Sequence, residues 1–72
     1  MNESSAVAVK KNALEAIKQL FALLDAAKDG YTAQEFETLH RAVGILIGEM
    51  QAQILDPVYE KFPEMSDLQM RH

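Results

Sequence analysis

Lys28-Asp29-Gly30-Tyr31-Thr32-Ala33-Gln34-Glu35-Phe36 decides the fold, because it reads as the corner between two antiparallel helices. Gly30 can take the left-handed conformation that ends an α-helix without a Cβ penalty. Thr32 is a good N-cap, since its hydroxyl can accept a hydrogen bond from a free amide in the next helix's first turn. Glu35 stands three residues on, where its carboxylate reaches back to the Thr32 amide and completes a capping box. Tyr31 and Phe36 occupy the two positions of a hydrophobic staple. Four local signals agree on one helix start.

Upstream of the corner, a first helix is expected over residues 6–29, capped by Ser4 or Ser5, with residues 1–4 frayed. Lys11, Glu15, Lys18, Ala22, Asp25 and Asp29 fall on one stripe at helical spacing. Val9, Ala13, Ile17, Leu20, Phe21, Leu24 and Ala27 take the other side, edged by Leu14 and Leu23. That apolar arc covers roughly half the circumference, where an ordinary surface helix needs about 100°. One antiparallel neighbour cannot cover it.

Downstream, a second helix is expected over residues 33–55. Phe36, Val43, Ile47, Met50 and Ile54 form its central stripe, flanked by Leu39 and Leu46. Glu37 and Arg41 are spaced for an i,i+4 ion pair. Ile45 projects nearly opposite the stripe and, with Ala52, suggests a second contact surface. Asp56-Pro57 then predicts a kink or short break at Leu55–Pro57, because proline suits the first helical position after an Asp cap and not a helix interior. A short third helix is expected over 57–62, ended by Pro63. Residues 64–72 are polar with scattered Met65, Leu68 and Met70, and are expected to be flexible.

The chain has 72 residues, enough for one small domain, and no cysteine. Such a chain buries a modest core and often needs metal or self-association for stability. Met1-Asn2-Glu3-Ser4-Ser5 lacks the basic start and apolar run of a signal peptide. The longest strongly apolar run, residues 42–48, is far shorter than the ~20 residues that span a bilayer. A cytoplasmic protein without membrane contact is expected. Seven Lys and Arg stand against eleven Asp and Glu, a net charge of −4. Nucleic-acid binding rests on cationic contacts to phosphate, and Lys10-Lys11 is the only basic pair, so nucleic acid is disfavoured too.

Three motifs hint at chemistry. Asp25, Asp29 and Gly30 fall at the first, fifth and sixth positions of an EF-hand loop, but Ala27 and Phe36 stand where oxygen ligands belong. Glu37-Thr38-Leu39-His40 matches the Glu-x-x-His element of dimetal helical bundles, which a dimer of hairpins would supply twice. Glu37, however, points well away from the apolar stripe. Glu37 and His40 are therefore the weak metal-ligand candidates. Gly44 and Gly48, four residues apart, each cost ~1 kcal/mol in a helix relative to alanine. Close packing against another helix is the expected reason, with a hinge as the alternative. No serine, threonine or histidine finds a catalytic partner, and no glycine-rich loop could cradle phosphate. The chain is not expected to be an enzyme or to carry a cofactor.

These readings converge on an all-α antiparallel helical hairpin with a short C-terminal third helix, dimerising into a four-helix bundle. The expected function is protein–protein interaction, as a self-associating adaptor, inhibitor or regulator. Its expected interface is Leu14, Ile17, Leu20, Leu23 and Leu24 with Val43, Gly44, Ile47, Gly48 and Met50. The alternatives are a metal-binding half-bundle on Glu37 and His40, or one subunit of a hetero-complex.

Overall fold

The computed structural model describes residues 1–66. The last part of the expected flexible tail, residues 67–72 with His72, lies outside the described residues. Among those described the chain is helical and has no strand. Helix α1 spans Glu3–Ala27, α2 spans Ala33–Met50 and α3 spans Asp56–Lys61. A π turn, Gln51–Leu55, joins α2 to α3, and a 3₁₀ turn, Pro63–Met65, comes after α3.

Helix α1 begins earlier than the sequence suggested. Asn2 is its cap, with its Oδ1 accepting the Ser5 N–H at 2.8 Å. Ser4 and Ser5, the expected caps, are instead inside the first turn, where Glu3 also meets the positive end of the helix dipole.

At the corner, the capping box forms as expected. Thr32 Oγ1 accepts the Glu35 N–H at 3.1 Å, and Glu35 Oε1 accepts the Thr32 N–H at 2.9 Å. The end of α1 differs from the expectation. It stops at Ala27, two residues early, and Gly30 does not take a positive φ. The Ala27 carbonyl accepts both the Gly30 and Tyr31 amides, at 3.3 and 3.1 Å. That pairing closes the last turn without a left-handed residue. Of the expected staple pair, Phe36 is half-buried and Tyr31 remains exposed.

The interior is a narrow seam. Ala6, Ala13, Leu24 and Ala27 are the buried residues of α1, Val43 that of α2, and Leu55 and Val58 extend the seam beyond it. Three of the four from α1 are alanines, whose small side chains let the facing helix come close. Leu55 and Val58, each 1% exposed, are the largest fully buried side chains.

The π turn explains how Leu55 reaches that seam. At uniform α spacing Leu55 would stand about 120° around the helix from Val43. One extra residue in the turn rotates the downstream helix by about 100° and brings Leu55 back to within about 20° of Val43. The wider turn also relieves Pro57, whose ring would press on the carbonyl four residues back in a regular α-helix. The irregularity expected at Leu55–Pro57, a kink or short break, takes the form of the π turn Gln51–Leu55, and the helical path runs on from α2 through α3. Asp56 is not a cap. Its backbone is helical, its N–H bonds to the Gln51 carbonyl, and its Oδ1 accepts the Gln51 side-chain amide at 3.5 Å.

Phe62 leaves the helix immediately before Pro63, as the restricted backbone ahead of a proline requires. The next residues are not the loose tail the sequence suggested. Lys10 Nζ donates to the Met65 carbonyl and lies 5.8 Å from the centre of the Tyr59 ring. Ser66 is buried. This segment is strapped onto the N-terminal half of α1, and the described chain measures 44 × 22 × 20 Å.

Candidate interaction surface

Large apolar side chains flank the buried seam on both sides. On α1, Leu14 and Phe21 lie to one side at 46% and 56% exposure, and Val9 and Leu23 to the other at 43% and 42%. On α2 and the π turn, Leu46 and Ile54 are 51% and 39% exposed. Each pair on α1 shares an edge because its members are separated by whole multiples of seven residues, close to two helical turns. The half-circumference arc therefore has a physical outcome. Its centre closes the hairpin and its two edges remain in water.

The expected interface residues divide accordingly. Leu24 and Val43 are buried in the hairpin itself, so they hold it shut. Ile17, Leu20, Ile47 and Met50 are half-buried beside them, while Leu14 and Leu23 are exposed. Gly44 and Gly48 are exposed as well, and a Cβ built on either would meet no atom within 4 Å. They make no close helix contact within the hairpin. Ile45 stands apart from the flanks and is 61% exposed.

Val9, Ala16, Phe21, Leu46 and Ile54 are exposed and fall outside the set of expected interface residues. Val9, Ala16 and Leu23 recur at intervals of seven, a signal that was present and is easily lost beside the larger leucines. Ile54, expected on the central stripe of the second helix, is 39% exposed, because the π turn rotates it to the edge and puts Leu55 in the seam instead.

Open grooves run along the described surface, two of them beside α2. One, of about 380 Å³, lies between α1 and the end of α2, lined by Val9, Asn12, Ala13 and Ala16 with Met50 and Ile54. The other, of about 650 Å³, tracks the outer side of α2 past Tyr31, Thr38, Leu39 and Ala42.

The metal candidates stay apart from any cage. The Glu37 carboxylate accepts from Arg41 at 3.4 Å with both side chains exposed. The His40 ring tilts at 35° toward Phe36, centroids 6.3 Å apart. Asp25, from the calcium-like stretch, pairs with Lys28 at 3.0 Å. Among the described residues no three His, Cys, Asp or Glu side chains come together as a ligand set. Of the basic pair, Lys10 is engaged with Tyr59 and Met65.

No protein-family model, curated protein or solved structure matches the chain. Among the described residues, no helix is long and apolar enough to cross a membrane.

Proposed function

We propose that the protein is a self-associating interaction module, in which two hairpins pair into a four-helix bundle and act on other proteins as an adaptor, inhibitor or regulator. One observation carries the reading: the exposed apolar side chains beside the seam, with Val9 at 43% exposure and Leu46 at 51%. A core of three small alanines, two leucines and two valines is modest for an independent domain. Burying the flanks against a second copy adds the apolar area that the single hairpin lacks. The open grooves and scattered polar groups favour a binding role over catalysis. We place the protein in the cytoplasm, where a cysteine-free chain loses nothing to a reducing environment.

Sedimentation equilibrium over a hundredfold range of concentration tests the reading. A mass of twice the chain, persisting on dilution into the micromolar range, supports it. A helical monomer throughout would overturn self-association and leave the flanks to a different protein.

A further inference from the structure

Helix α1 has an uncharged side. At about 100° per residue, Val9, Asn12, Ala16, Gln19 and Leu23 form one strip, roughly 80° around the helix from the buried seam. All five are exposed. None of the six charged residues of α1 falls in that strip; Glu3, Lys10, Lys11, Glu15, Lys18 and Asp25 all lie toward the other flank or the back. The strip continues into the shallow groove that Val9, Asn12 and Ala16 share with Met50 and Ile54.

We infer that this strip is the two-fold contact between two copies of the chain, α1 against α1, running antiparallel with Ala16 on the axis. The inference rests on the self-association proposed above and names the surface that performs it.

Three observations favour a second copy as the occupant. The first is charge. A chain of net charge −4 repels its own kind, so two copies meet at least cost where neither presents a charge. The second is symmetry. An isologous contact must be complementary to itself, and the strip is close to a palindrome about Ala16. Antiparallel pairing sets Val9 against Leu23 of the second copy at both ends, and brings Asn12 within a residue of Gln19 of the second copy. The small side chain at the centre lets the two axes approach toward the lower end of the 8–10 Å range of packed helices. The third is size. From Val9 to Leu23 the strip is about 21 Å long at 1.5 Å per residue, four turns of helix to set against four turns of the second copy.

Because the chain has no cysteine, single introduced thiols report the arrangement directly. Ala16→Cys, Val9→Cys and Leu23→Cys are each treated with a short thiol-specific cross-linker, alone and in mixtures, and resolved on denaturing gels. The expected result is a covalent dimer from Ala16→Cys alone, none from Val9→Cys or Leu23→Cys alone, and a dimer again when those two are mixed. In parallel, Ala16→Glu, an exposed change compatible with the helix, weakens dimerisation by more than about tenfold, with helicity by circular dichroism unchanged. Self-linking of Val9→Cys would mean a parallel pair and overturn the inference. So would a sedimentation dimer in which Ala16→Cys does not link or Ala16→Glu has no effect, though self-association itself would stand. A monomer at every concentration would overturn both.

Discussion

Replacing Gly44 and Gly48 by alanine separates two explanations of that pair. Both residues lie inside α2, where glycine is disfavoured because its backbone loses the most freedom on folding. Each replacement returns about 0.5–1 kcal/mol of helix propensity. No clash offsets the gain, since a Cβ at either position meets no atom within 4 Å. Summed over the two positions, which stand one helical turn apart, the gain is about 1–2 kcal/mol. For a domain of this size each kcal/mol raises Tm by roughly 4–8 °C, so the double variant should melt about 5–15 °C higher. The assay is a thermal melt by circular dichroism at matched protein concentration, because association itself shifts Tm. Sedimentation of the same samples should give an unchanged mass. A fall in Tm, or a loss of dimer, would refute the reasoning, for it would mean the glycines hold open a backbone-to-backbone contact with another copy.

Three further substitutions test the fold. Thr32→Ala removes one half of the capping box and should cost about 1 kcal/mol, read as a lower urea midpoint at unchanged slope. Leu55→Ala empties one of the two fully buried large positions and should cost about 2–5 kcal/mol; a loss under about 1 kcal/mol in urea titration would mean the π turn does not aim Leu55 into the seam. Gly30→Ala should stabilise by about 0.4–1 kcal/mol, since φ is negative there and no atom lies within 4 Å of the new Cβ; a lower Tm would instead indicate the left-handed conformation that the sequence alone suggested.

Much of the architecture was legible because it is encoded locally. Thr32 and Glu35 announce the start of α2 through bonds only three residues long, and Pro63 ends α3 through the backbone of its immediate neighbour. Gly30 misled for the opposite reason. A glycine permits a left-handed turn without requiring one, and the Ala27 carbonyl had already captured the amides in question. The path through Asp56-Pro57 was hidden because a π turn depends on where Leu55 and Val58 must point, which is decided by contact with α1 and not by neighbours in sequence. The ordering of Met65 and Ser66 was hidden likewise, since it rests on Lys10, far back in the chain. For the candidate surface, periodicity revealed that the apolar arc was too wide. Only the packing could divide it into a buried centre and two exposed edges, and only then did the uncharged character of one edge stand out.

The bond from Lys10 to the Met65 carbonyl spans 55 positions of sequence. Forming it from an open chain would mean closing a long loop, an entropic cost that grows with the logarithm of loop length. The hairpin removes most of that cost in advance, because once α1 and α2 lie side by side the strap needs only to swing back over a short remaining distance. Assembly is therefore expected to run in order, with the corner first and the strap last. The reverse order holds for opening. The strap is expected to open before the hairpin, so that its backbone amides exchange with solvent while those around Leu24 and Val43 are still protected.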